Sequence, residues 1–375
     1  MTGPALLRSS LLGYAAIRAL SVATAAFLLP RGTFARLHYS LWHLIVSWDS
    51  GRYFIIAQHG YSYIPGNLRH DSIFAWFPGY PLAIDTIAWI PGTGPARAGL
   101  VVTLLAGLAA AWGLTRLGMT LTGDPRVSLL LVALWATAPA SVVLEMDYPE
   151  ALFCALAVWT LVALTEGRWL TAGLLAALAG TVHNTAIALV AAIAVAAIMA
   201  VRNGIGQEDA ELPWRPVAAV LLSSLGLLAY WTYAAVETRH PWGWFWVERN
   251  AHNSFDWGSA TVRTIREMIF NPTLSGVLTA FVIVSAVGIT CVVLMERIPV
   301  SVKVYTAAVV ITAVGTGPYY FGSKPRFLLP AMLLGLPLAR LLARASGWVL
   351  VPLIAVLAMA STWFALYLMR IGWAP

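Results

Sequence analysis

Charge is what this sequence lacks most: 23 Lys plus Arg and 16 Asp plus Glu among 375 residues, or 10% charged. Soluble chains average about 25%, so a water-soluble globule and a disordered chain are both excluded. There are only two cysteines, Cys154 and Cys291. Both lie inside apolar runs, which excludes a disulfide scaffold. No HExxH, nucleophile elbow, P-loop or dinucleotide fingerprint occurs, and without a P-loop an ATP-driven machine has no phosphate cradle. The longest hydrophilic stretches are short and none is a soluble domain, so any chemistry has to happen at a membrane surface.

What fills the chain instead is apolar residues, 60% of the total. They fall in runs of about 15–25, enough to cross a bilayer core of about 30 Å. The runs predict about eleven transmembrane helices near 9–30, 97–119, 127–146, 149–165, 169–184, 186–201, 216–237, 273–296, 300–317, 326–344 and 347–369. The first run allows a signal-peptide reading, but Arg18 interrupts it and so many spans follow that an uncleaved helix is expected. Segment 78–91 (PGYPLAIDTIAWIP) is short, carries Asp85 and is bracketed by prolines; it predicts a re-entrant or interfacial helix. The whole chain reads as a single all-α polytopic membrane domain.

With the N-terminus in the cytoplasm, every inner turn is basic: Arg116 with Arg126, Arg168, Arg202 with Arg215, Arg297 with Lys303, and Arg340 with Arg344, as the positive-inside rule asks. The net charge of +7 is then orientation and headgroup contact, and nucleic acid is not an expected partner. The same parity puts 31–96, 146–149, 238–272 and 318–325 on the outer face. Segment 31–96 is a first outer loop rich in aromatics, read as interfacial helices; 238–272 is a tryptophan-rich second one. Outer arginines such as Arg52, Arg69, Arg249, Arg263 and Arg326 run against the usual bias, and an anionic ligand would explain them.

Ionisable groups at membrane depth are costly and are functional candidates by default. Asp49 lies in VSWDSGRYFIIAQHGYSY, Asp147 and Glu150 in EMDYPEALF, His183 and Asn184 in a long Ala-rich stretch, Lys324 and Arg326 in YYFGSKPRFLLP. The assigned topology brings all of them to the outer side. Asp49 is either a helix cap or partner for Arg52, or a general base at a membrane-embedded mouth. Asp147 and Glu150 are equally readable as turn and helix-start residues, and His183 as a hydrogen-bonded helix break. Arg326 supplies a planar fork for phosphate and Lys324 a point charge, although a headgroup contact explains them too. In HPWGWFWVERNAHNSFDW, Trp242, Trp244, Trp246 and Trp257 with Glu248 and His252 form either an interfacial belt or a sugar-stacking surface.

The run WDSGRYFIIAQHGYSY followed by FAWFPGYPL resembles the first luminal loop of the PIG-V-type mannosyltransferases, which add the second mannose in GPI-anchor assembly. APASVVLEMDYPEALFCAL, TVHNTAIAL and RFLLPAMLL keep that family's order more loosely. His183 stands where the family has arginine, and Thr185 where it has glycine. The resemblance implies a membrane glycosyltransferase of the GT-C class, with a polyprenyl-phosphate sugar as donor, mannose as the sugar, and a lipid or glycan acceptor among the membrane lipids. It implies Asp49 as the catalytic base, and no metal or other cofactor. Arg326, Lys324 and Arg52 are then the expected donor-phosphate ligands. Asp147, Glu150, His183, Asn184, Trp244, Trp246, Glu248 and His252 are the expected substrate contacts. The outer face of a bacterial plasma membrane is the expected location. A transporter or flippase of lipid-linked sugars would want similar groups, but at mid-membrane and with repeat symmetry; a non-catalytic glycolipid-binding protein is the weaker rival.

Overall fold

The computed structural model describes residues 3–31, 35, 40–62, 70–204, 214–251 and 253–374. Every regular element among them is helical, apart from one isolated bridge between Phe255 and Thr316. The chain opens with α1 (Gly3–Leu28), then two short helices, α2 (Leu41–Ile45) and α3 (Ser50–His59), and the ten-residue α4 (Gly79–Ala88). A bundle follows: α5 (Pro95–Thr122), α6 (Pro125–Ala136), α7 (Glu150–Thr165), α8 (Trp169–Val182), α9 (Ile187–Gly204) and α10 (Trp214–Glu237). Two surface helices, α11 (Gly243–Asn250) and α12 (Ser259–Phe270), lead into α13 (Leu274–Met295), α14 (Val300–Gly315), the short α15 (Lys324–Phe327) and α16 (Leu336–Leu342), and α17 (Gly347–Arg370).

Among the described residues, six helical stretches are long and apolar enough to cross a membrane: α1, α5, Asn184–Arg202, α10, α13 and α17. A pair bent by 70°, Tyr320–Phe327 with Met332–Leu342, makes up to a seventh. The apolar helices α6, α7, α8 and α14 have 12–16 residues, short of the roughly 20 a full crossing takes. Each of the eleven apolar runs read from sequence coincides with one of these long helices, short helices or the bent pair, and the breaks that shorten them have local causes. The run near 127–146 stops at Ala136 because Pro139 cannot continue a helix, and the carbonyl of Ala136 is capped by the Arg18 guanidinium. The run near 326–344 is broken at Pro330, and the chain bends there.

Starts and stops elsewhere are equally local. Pro125 opens α6 under the Asp124 carboxylate, which accepts from the Arg126 N–H at 2.7 Å. The preceding α5 ends at Gly123, whose φ of 66° suits a residue without a Cβ. Packing inside the bundle relies on small residues, as membrane helices do. A methyl group built on Gly226 of α10 would collide with the Ala177 carbonyl oxygen of α8.

The bundle has two distinct polar ends. At one, Glu166 at the end of α7 accepts from Arg116 at 2.6 Å and pairs with Arg168 at 2.9 Å. Arg126 donates to the Ala345 carbonyl and Arg340 pairs with Glu296. These are the turns the charge count assigns to one side. Glu150, at the other end of the 16-residue α7, is about 24 Å away at 1.5 Å per residue. That end holds the candidate site.

Candidate active site

Asp49, at the start of α3, has no side-chain capping bond. Its carboxylate Oδ2 instead accepts from Arg326 Nη1 at 3.1 Å, across 277 residues of sequence. Arg326 also lies 3.2 Å by Nε from Glu150 Oε1. That second pair is close without being aligned as a hydrogen bond, since Nε has no hydrogen-bond partner. The Arg326 side chain is 6% exposed and that of Glu150 5%, while Asp49 is 30% exposed. Asp49 therefore opens to the exterior while Glu150 sits behind the cation.

Both Asp49 and Arg326 line a cavity of about 160 Å³. Its walls include His183, Asn184, Trp244 and Glu248, all singled out from sequence, and Tyr53, Trp76, Asn253 and Tyr320, which were not. Four separated regions of the chain meet here. Besides Arg326 Nε, which faces Glu150, three buried polar atoms on these walls have no hydrogen-bond partner among the described residues: Trp244 Nε1, Asn184 Oδ1 and Asn253 Oδ1. Buried polar atoms are normally satisfied, so one donor and two acceptors stand ready for a ligand with hydroxyl groups. The ring of Trp244 packs against Phe77 at 5.8 Å between centroids, which gives the cavity an apolar wall beside its polar ones.

The cavity also has an electrostatic gradient. Burial pushes the Glu248 carboxyl up to about 7, against a hydrogen bond from Asn253 that pulls it down and with the Asp49 charge adding to the rise. His183 Nδ1 accepts from the Thr185 N–H at 3.1 Å, so in the neutral ring the proton sits on Nε2.

The remaining sequence candidates fall elsewhere. Lys324 does not line the cavity: its Nζ donates to the carbonyls of Ala313 (3.1 Å), Val314 (3.3 Å) and Thr316 (2.6 Å). Those are the carbonyls that the end of α14 leaves without helical partners, so the ammonium is consumed as a cap. Arg52 lies over the Trp76 ring, 5.7 Å from its centroid, behind the wall rather than on it. Trp246 stacks on His240 at 5.2 Å, outside the cavity; Trp242 and Trp257 are exposed at the surface. Asp147 is fully buried beside the site, and neither carboxylate oxygen has a hydrogen-bond partner among the described residues. Burial raises it to about 8. His252 and Arg69 lie outside the described residues.

Sequence reasoning missed two things. Trp76 and Tyr53 belong to the aromatic stretch 31–77, and nothing in the pattern separates wall aromatics from interfacial ones. Tyr148, between Asp147 and Glu150 of the EMDYPE turn, carried no signal at all, yet its hydroxyl accepts from the Asp49 backbone N–H at 3.2 Å and Arg326 lies over its ring.

The crystal structure of ArnT from Cupriavidus metallidurans bound to undecaprenyl phosphate superimposes on 96% of this chain and 77% of its own, with a TM-score of 0.56 and 14% identity. That likeness is one of fold, the GT-C class. Mouse (Mus musculus) GPI alpha-1,6-mannosyltransferase 2 is 31% identical over 206 residues, 52% of this chain and 40% of that protein. The human protein of that name is 31% identical over 169 residues, 43% of this chain and 33% of its own length. The matched region thus spans less than half of these relatives. A family model described as Mannosyltransferase (PIG-V) matches residues 5–235, a stretch that contains Asp49, Asp147, Glu150, His183 and Asn184 and ends before Trp244, Glu248 and Arg326. By that match over more than half its length, the chain belongs to the PIG-V mannosyltransferase family.

Proposed function

We propose that this membrane protein is an inverting glycosyltransferase that moves mannose from a polyprenyl-phosphate donor to a lipid or glycan acceptor at the non-cytoplasmic face. The observation that carries the reading is the Asp49–Arg326 pair on the wall of one small cavity. A carboxylate beside a guanidinium is what the reaction needs. The acceptor oxygen attacks the anomeric carbon as the bond to the donor phosphate breaks. Asp49 takes the hydroxyl proton, and Arg326 holds the departing polyprenyl phosphate through a planar fork suited to it. That leaving group needs no second acid, in contrast to a glycosidase. The unpartnered atoms of Trp244, Asn184 and Asn253 suit the hydroxyls of one sugar ring. Gathering of the polar groups at one end of the bundle favours an enzyme over a transporter, whose site would lie at mid-membrane. The ArnT structure was obtained with undecaprenyl phosphate, which supports a donor of that chemistry.

The test is Asp49→Asn. Asparagine keeps the size and a hydrogen-bond acceptor but cannot take the proton, so transfer falls by about 10²–10⁴-fold while donor binding persists. Transfer within about threefold of wild type, short of that general-base range, would assign the base elsewhere. The face is tested by single cysteines in a background without Cys154 and Cys291. Ser62→Cys and Ser254→Cys, both exposed at the site end, react with an impermeant thiol reagent in intact cells, and Ser346→Cys at the basic end does not. The reverse pattern places the site in the cytoplasm.

A further inference from the structure

We propose that Tyr148 is a positioning residue that holds the catalytic aspartate and the donor-binding arginine in register; this rests on the roles given above to Asp49 and Arg326. Two observations carry it. The first is strain. Trp48, the residue before Asp49, has φ of 59°, a left-handed backbone that a bulky side chain adopts only when its surroundings impose it. The second is what imposes it. The peptide N–H that follows Trp48 belongs to Asp49, and it donates to Tyr148 Oη at 3.2 Å.

The turn is held from the same segment a second time, because the Asp147 N–H donates to the Ile45 carbonyl at 3.0 Å. Ser50 Oγ donates to that carbonyl as well, at 3.3 Å. Residues 45–50 are thus clamped to 147–148 on both sides of the strained position. The ring of Tyr148 serves the other partner: the Arg326 guanidinium carbon lies 5.1 Å from its centroid, within cation–π range. One fully buried side chain therefore aims the carboxylate with its hydroxyl and seats the cation with its face. Glu150, two residues on, places its charge 3.2 Å from the Nε edge of the same guanidinium.

The two parts of the side chain can be separated by substitution. Tyr148→Phe removes the hydroxyl and keeps the ring; Tyr148→Leu removes both. Labelled polyprenyl-phosphate mannose is the donor probe, and membranes of a strain from which the chain is deleted supply the acceptor. Initial rates of label transfer, measured against donor concentration and normalised to folded protein, give kcat and the donor KM. Tyr148→Phe lowers kcat about tenfold, the scale of one lost hydrogen bond, and leaves the donor KM unchanged. Tyr148→Leu lowers kcat likewise and raises the donor KM in addition. A purely structural role would shift the amount of folded protein and its Tm without that split. Wild-type kcat in Tyr148→Phe, or the same kcat and KM in both variants, overturns the proposal. Asp49→Asn runs in the same assay: if it is active, the reading of the site fails; if it is inactive while Tyr148→Phe is fully active, only the present inference fails.

Discussion

Two buried arginines of this protein have the same exposure and opposite uses. The side chains of Arg18 and Arg326 are each 6% exposed, and each faces glutamate, Glu145 for Arg18 at 3.0 Å and Glu150 for Arg326 at 3.2 Å. Arg18 spends its guanidinium on the fold: Nη1 donates to the Ser141 carbonyl at 2.8 Å, and Nη2 to the Ala136 carbonyl and to Ser141 Oγ. It pins α1 to the turn after α6. Arg326 donates to Asp49 on a cavity wall, and among the described residues no hydrogen bond engages its Nη2. Burial alone therefore does not mark a functional cation. What separates the two arginines is a partner that still reaches the outside, as Asp49 does and the 8% exposed Glu145 does not.

The difference can be broken by replacing both pairs with apolar groups. A buried ion pair is replaceable by well-packed hydrophobic residues with little loss of stability, whereas removal of one partner strands the other. Arg326→Met with Glu150→Leu keeps the fold but lowers transfer by about 10²–10³-fold, the scale of losing a preorganised charge donor. Arg18→Met alone destabilises by about 3–5 kcal/mol, and Arg18→Met with Glu145→Leu recovers most of that together with transfer activity. Thermal unfolding in detergent and transfer rates on the same samples check both. Loss of transfer in the well-folded Arg18–Glu145 double variant would erase the distinction.

Lys324 extends the comparison to a buried cation used as a helix cap. Lys324→Met removes the ammonium from the α14 end and lowers stability by about 1–3 kcal/mol. Thr316 Oγ1 and Thr261 Oγ1 still donate to the Ala313 and Val314 carbonyls, but the Thr316 carbonyl loses its donor. The donor KM of the folded fraction stays within about twofold of wild type, because uniform binding to the donor is untouched. A donor KM raised as in an Arg326 variant would return Lys324 to the phosphate site.

The smallest effect concerns Glu248. An ordinary glutamate titrates near 4.5, and burial raises this one to about 7. The folded state then holds the proton more tightly than the unfolded state between those values. Stability from this group is full below about pH 4.5 and is lost as pH rises through about 7. Glu248→Gln removes that slope, so its Tm exceeds that of wild type at pH 8 by more than at pH 5. Equal pH slopes in the two proteins would mean that the carboxyl is ionised in place.

Composition and spacing by themselves determined the membrane class, because so few charges leave no other way to solvate 60% apolar residues. Periodic basic turns determined which segments share an end, since parity along the chain needs only span boundaries and the sign of charge. The acids of the WDS and EMDYPE runs were legible as candidates because ionisable groups are rare in such a chain. Span lengths were not legible: hydropathy registers apolar stretches and is blind to where Pro139 or Pro330 ends a helix inside one. Nor could sequence separate Lys324 from Arg326, two cations of one KPR run, or show what Arg18 pairs with inside its apolar helix. Tertiary structure decided their roles through contacts across 123 residues for Arg18 and 277 for Arg326. A side chain's polar function is set by the groups that desolvate and oppose it, and those come from distant parts of the chain.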